Sequence, residues 1–260
     1  MTLFDNLTAA IAAEEPIALA TVVEGPGLGA KLLIGPDGAA EGSLGNAELD
    51  RVVVRDAIGE LAAGRSGVRH YGPDGEARQD EVMVFVESFA PPPRMLIFGA
   101  VDFTAALSRV AKVLGYRVTV CDARPVFATK ARFPYADEVV VDWPHRLLEA
   151  EGAELGPRDA ICVLTHDPKF DVPAVIGALQ TEAGYIGAMG SRRTTNDRNA
   201  RLLAEGVTEA QLGRIMAPIG LDLGARTPEE TAISICGEII ALRSGRATGS
   251  LRDASGDIHD

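Results

Sequence analysis

The chain has 260 residues, 47% of them hydrophobic, and a formal net charge of −12. That length holds one large or two modest domains with a proper core, and the acidic balance argues against a nucleic-acid-binding protein, whose domains are usually basic. No apolar run is long enough to cross a bilayer, and the opening residues Met1-Thr-Leu-Phe-Asp-Asn6 lack the basic-then-apolar pattern of a secretory signal.

Leu3 to Glu14 suits a short helix that Pro16 stops. Ile17 to Val23 reads as a buried strand, and Gly25-Pro-Gly27 as a turn. Ala30 to Ile34 is a second strand before the turn Gly35-Pro-Asp-Gly38, so a hairpin or meander is expected. Glu41 to Asn46 reads as a turn whose backbone N–H groups could meet an anion or merely enter the next helix. That helix spans about Ala47 to Ala63, with Leu49, Val52, Val53, Ile58 and Leu61 on its apolar side and Gly64 at its C-terminal cap. Val68 to Tyr71 and Glu81 to Phe89 look like two more strands around Gly72-Pro-Asp-Gly75. Ala90-Pro-Pro-Pro93 then forms a stiff extended connector.

After it the rhythm changes to alternating strands and helices. Strands are expected at 95–99, 117–122, 138–142, 160–165 and 185–189. Their near-continuous apolar character suits a parallel sheet covered on both faces. Helices are expected at Thr104 to Leu114, Asp171 to Gln180 and Ser191 to Leu203. A last helix is capped by Thr227 with Pro228 in its first turn and runs to about Arg243. The chain is therefore α/β: a small N-terminal α+β domain over 1–90, a Rossmann-like parallel-sheet domain over 94–243, and a flexible tail over 244–260. Cys121, Cys162 and Cys236 each lie in an apolar segment, without CxxC spacing or a Cys/His cluster. Reduced core thiols are expected, and no metal site.

In such folds ligands sit outside the carboxyl ends of the strands. The first cluster there is Gly99 to Thr104 with Asp122, spaced like a dinucleotide-binding opening in which the acid meets a ribose hydroxyl. The second and third glycines of that fingerprint are replaced by Val101 and Thr104, and Asp102 puts a negative charge where a phosphate would sit. The turn is either a ligand site or a closure of the fold. The second cluster is Thr165-His166-Asp167-Pro168-Lys169, where His166 could move a proton with Asp167 setting its tautomer, or where polar residues simply cap the strand. In the third, Met189-Gly190-Ser191-Arg192-Arg193-Thr194, glycine ends a strand and two arginines enter a helix N-terminus. The macrodipole disfavours cations there, so a bound anion is expected, with pairing to surface acids as the alternative. The fourth, Pro218 to Gly224 with Asp222, is a packed loop or a lid. No convincing nucleophile–base pair emerges, so no catalytic residue is assigned.

Ile97-Phe-Gly-Ala100, Val118 to Phe127, Leu164-Thr-His-Asp167, Tyr185 to Thr194, Pro218 to Ala225 and Thr227 to Ala232 stand in order. Together they resemble the XdhC/CoxI family, which matures molybdenum hydroxylases such as xanthine and carbon monoxide dehydrogenases. Gly42 to Leu49 matches more loosely. The resemblance implies a Rossmann-like C-terminal domain behind a small N-terminal one. It also implies the molybdenum cofactor (molybdopterin) as cargo, protected and delivered to the apo-enzyme. A cytoplasmic homodimer that meets the hydroxylase and a cysteine desulfurase goes with it. The implied cofactor-binding residues are Gly99, Asp122, His166, Gly190, Ser191, Arg192, Arg193 and Asp222, with the phosphate on the Ser191–Arg193 turn. Competing readings are an NAD(P)-dependent oxidoreductase and a non-catalytic nucleotide-sensing protein.

Overall fold

A computed structural model of the chain describes residues 2–76 and 79–253, which divide after Pro91 into two compact units. The first unit is built on one antiparallel sheet. Helix α1 (Leu3–Ala12) leads into β1 (Ile17–Glu24), β2 (Lys31–Ile34) and β3 (Ala40–Ser43). Helix α2 (Ala47–Ala63) follows, then β4 (Gly67–Tyr71) and β5 (Val82–Phe89). The spatial order is β3-β2-β1-β5-β4. Alternation along β1 sends Ala18, Ala20 and Val22 to the face that Val53, Ala57 and Leu61 of α2 cover, and Leu19 to the face that Leu7 of α1 covers. Asn46 caps α2 through the Glu48 N–H at 2.8 Å, and Gly64 closes it in the left-handed conformation. The segment Glu41 to Asn46, expected to be a turn before α2, overlaps β3. All four of its residues are exposed on a sheet edge, so no apolar alternation marks it.

The second unit is an α/β sheet. In order come β6 (Arg94–Phe98), α3 (Asp102–Val113), β7 (Arg117–Cys121), β8 (Glu138–Val140), α4 (Pro144–Glu151), β9 (Ala160–Val163), α5 (Pro168–Leu179), β10 (Tyr185–Ala188), α6 (Arg192–Ala204), α7 (Glu209–Leu212), β11 (Ile215–Met216) and α8 (Pro228–Ser244). Every pairing is parallel, in the order β11-β10-β9-β6-β7-β8. That is a doubly wound Rossmann-like sheet. Met95 and Ile97 face a layer that includes Leu107, Ala111, Ile235 and Ile239 of α3 and α8. Leu96 and Phe98 face Leu147, Leu148, Ala174 and Val175 of α4 and α5. Burial on both faces is why these strands read as continuous apolar runs.

In the second unit α4, α7 and β11 escaped the sequence pattern. The first two are short, and β11 has only two residues. Helix α5 begins at Pro168, not Asp171, because Asp167 caps it through the Lys169 N–H. The expected tail opens with Ser244 still in α8 and Gly245 as its left-handed cap. Residues 251–253 make a 3-10 turn, and residues 254–260 lie outside the described residues. No helix among the described residues is long and apolar enough to cross a membrane.

Candidate functional site

The strand order reverses between β6 and β9, which lie side by side while their chains run on to opposite edges of the sheet. Ligands of doubly wound sheets bind in the crevice at this switch point. A cleft of about 440 Å³ opens there. The ends of β6, β7 and β9 supply Gly99, Asp122, Thr165 and His166 to its lining. Arg124 comes from the loop after β7, and Pro144, Pro168 and Phe170 from the first turns of α4 and α5.

Gly99 makes the cleft's floor possible. It has φ +113°, and a Cβ placed on it would stand 3.1 Å from the Thr165 amide nitrogen. Only glycine lets the β6 turn lie this close to the end of β9. The next fingerprint position, Val101, starts α3 without a side-chain cap. Its Cβ stands where a pyrophosphate would need bare backbone.

Asp122 is 5% exposed, and both its oxygens are taken. Oδ2 accepts from the Ala100 N–H at 2.7 Å and from Arg124 Nη2 at 2.8 Å. Oδ1 accepts from the Arg124 backbone N–H and from Nε, each at 2.9 Å. Burial opposes the charge, but the Arg124 guanidinium and the two backbone donors outweigh it and hold the carboxyl below the usual carboxylate range. The acid expected to meet a ribose is thus the anchor of an arginine. Arg124 in turn lies 4.6 Å from the Phe127 ring centroid.

Sequence reasoning missed Arg124 and Thr165, although both sit in segments it singled out. The signal for Arg124 was an arginine two residues after a strand-end acid. For Thr165 there was no signal, since its importance is a buried hydroxyl without a hydrogen-bond partner among the described residues. The wall beyond is aromatic: Phe170 stacks on Trp143 at 4.9 Å, and Lys169 lies over Trp143 at 5.0 Å.

Of the expected site residues, Gly99, Asp122 and His166 meet in this cleft. His166 is exposed, and one oxygen of the Asp167 carboxylate caps α5 through the Lys169 N–H. Gly190, Ser191, Arg192 and Arg193 follow β10, one strand further along the same edge, and do not line the cleft. The Ser191 hydroxyl caps α6 through the Thr194 N–H at 3.2 Å, and both arginines are exposed. Asp222 is exposed in the loop after β11. The start of that loop is tied to α8 by the Gly220 N–H to Glu238 Oε2 at 3.0 Å and by the Ser234 hydroxyl to the Leu221 carbonyl at 2.6 Å.

All three cysteines are free and buried. Burial pushes the Cys121 and Cys236 thiols up to about 12 and Cys162 well above its ordinary value. Such thiols are poor nucleophiles at neutral pH. No cluster of His, Cys, Asp and Glu able to hold a metal occurs among the described residues.

A family model for the XdhC Rossmann domain matches residues 95–239, and one for the XdhC and CoxI family matches residues 10–72. The chain is 32% identical over 160 residues to a probable xanthine dehydrogenase subunit of Bacillus subtilis (strain 168), covering 62% of this chain and 46% of that protein. It is 25% identical over 159 residues to the molybdenum cofactor insertion chaperone PaoD of Escherichia coli (strain K12), covering 61% and 43%. An uncharacterised protein of the same organism, YqeB, is 25% identical over 92% of this chain and 46% of its own length. The chain thus spans less than half the length of each of these relatives. A crystal structure described as a xanthine dehydrogenase from Bacillus halodurans superposes with a TM-score of 0.57 at 22% identity, covering 96% of this chain and 98% of that one. That likeness is one of fold.

Proposed function

The chain belongs to the XdhC and CoxI family, and from that premise we propose that it is a maturation factor for a molybdenum hydroxylase. In this reading it binds the molybdenum cofactor and delivers it to an apo-enzyme of the xanthine or carbon monoxide dehydrogenase type. One relative is by name an insertion chaperone for that cofactor, and another is named as part of a xanthine dehydrogenase. The observation that carries the reading is the switch-point cleft, whose lining mixes Asp122, Arg124, Thr165 and His166 with the apolar Val101, Pro144, Pro168 and Phe170. Such a lining suits a small ring compound with a few hydrogen-bonding groups.

Binding and release need no bond-breaking machinery. No nucleophile is hydrogen-bonded to a base in the cleft, among the described residues, and the one thiol there is buried and protonated. A dinucleotide in the usual pose fits poorly. Val101 blocks the pyrophosphate path, the Ala100 N–H is already given to Asp122, and Asp122 has no lone pair facing a ribose. The NAD(P)-dependent oxidoreductase reading therefore lacks its binding pose.

The proposed contacts are Gly99, Asp122 (acting through Arg124) and His166 in the cleft. Gly190, Ser191, Arg192, Arg193 and Asp222 stand beyond it along the carboxyl edge, as holders of the cargo's outer parts. As proposed, the protein works in the cytoplasm as a homodimer and meets the apo-enzyme and a cysteine desulfurase. Native mass spectrometry of protein purified from a molybdate-fed host tests this. The wild type should carry a pterin mass, and His166→Trp, which fills the cleft from an exposed position, should lose it. A wild-type spectrum free of any pterin mass would overturn the reading.

A further inference from the structure

We infer that Arg124 is the residue by which the cleft recognises its ligand's ring, and that the ring is a lactam-bearing bicycle of purine or pterin type. The inference deepens the cargo reading above and rests on it only for the location of the site.

Arg124 is anchored along one edge, while its side chain as a whole is 47% exposed. Its Nε and Nη2 fork onto the two oxygens of Asp122, and its Cζ lies 4.6 Å from the Phe127 ring centroid. A guanidinium carries five N–H groups in a rigid plane. Two are used on Asp122. The three on the opposite edge have no partner among the described residues, although Arg124 lines the cleft. An arginine already anchored loses less further freedom when it binds, so its free edge is a preorganised donor pair.

Charge decides what that edge takes. Asp122 neutralises the guanidinium at 2.8–2.9 Å, so the pair presents donors with almost no net charge. A phosphate dianion placed there would meet the Asp122 carboxylate one guanidinium width away. A neutral edge with two adjacent acceptors meets no such penalty. The carbonyl oxygen of a six-membered lactam and the nearest unprotonated nitrogen of the ring fused to it, O6 and N7 in guanine or O4 and N5 in an oxidised pterin, match an arginine fork bidentately. An adenine edge offers an amino donor where the carbonyl should be, and mismatches. The buried, partnerless Thr165 hydroxyl on another wall is a further unfilled polar group, and Pro144, Pro168 and Phe170 bound the cleft with flat apolar surface.

The chain's one tryptophan reports on this cleft, because Trp143 stacks on the lining residue Phe170. Its emission, excited at the red edge, can be followed while guanosine, neopterin or adenosine is added to the full chain. Calorimetry serves where the ligand's own absorbance interferes. Guanosine or neopterin should bind saturably, and adenosine about ten-fold or more weaker, the discrimination one bidentate pair gives. Whichever of the first two binds tighter identifies the purine or the pterin as the natural ring. Arg124→Lys keeps the charge on Asp122 but not the fork. It should lose about ten-fold or more for the lactam and nothing for adenosine, while a thermal melt reports whether the fold survives. Equal binding of guanosine and adenosine, full binding by a folded Arg124→Lys, or no saturable binding of either lactam at millimolar concentration would each overturn the assignment. A pterin mass retained in native spectra alongside any of these would leave the cargo reading standing and this one refuted.

Discussion

Arg198 is 1% exposed and Asp171 2%, yet their closest approach is 3.6 Å, too long for a good hydrogen bond. Arg198 spends Nη1 on the Met189 carbonyl at 2.9 Å, which ties α6 to the turn that starts it. Asp171 Oδ1, Arg198 Nε and Nη2, and the Thr195 hydroxyl are buried without a partner among the described residues. Burial raises the Asp171 carboxyl above its ordinary value although Arg198 opposes this, and burial likewise lowers the Arg198 guanidinium. A pair so placed contributes little net stability but is costly to break, since removing one member strands the other. Asp171→Leu or Arg198→Met alone should each cost about 3–5 kcal/mol in urea unfolding. The double variant should cost far less than their sum, and a strictly additive result would show that the two charges do not depend on each other.

The element that shapes the cleft is the turn from β6 into α3. Gly99 holds φ +113° and abuts the end of β9, and the Thr104 hydroxyl returns to the Gly99 carbonyl at 2.5 Å. Gly99→Ala should destabilise the chain by about 1–3 kcal/mol, from left-handed strain and contact with the Thr165 backbone. Chemical denaturation checks this, and an unchanged midpoint would mean that the turn tolerates a side chain. This turn was legible as a strand ending in glycine, because a tight turn after an apolar run leaves a local signature. Its outcome was not. Asp122 lies 22 residues later, and nothing local says that its carboxylate takes the Ala100 N–H and an arginine instead of facing a ribose.

Each of the two units has its own sheet and its own buried clusters: Ala18, Val53 and Val84 in the first, Ile97, Leu107, Phe98 and Val175 in the second. A fragment covering residues 92–253 should therefore fold by itself. It should give a cooperative melt and dispersed amide spectra, and should keep the cleft. A fragment that stays unfolded when expressed alone would show that the second sheet needs the first unit.

Read alone, the amino-acid order was sufficient for most of the alternation of strands and helices and for the helix ends at Gly64 and Thr227, and it pointed to the carboxyl edge of the strands as the place to look for a ligand site. Each of these depends on side-chain periodicity or on a cap a few residues away. It could not divide that edge into a cleft and an outlying turn. Gly99, Asp122 and His166 share a cavity, while Ser191, Arg192 and Arg193 stand apart from it. Nor could it reveal that Asp122 is spent on Arg124, that Thr165 is left without a partner, or that Asp171 and Arg198 meet inside the second unit. Contacts between residues far apart in the chain are set by how strands stack into a sheet and helices cover it, and no short stretch of residues records that order.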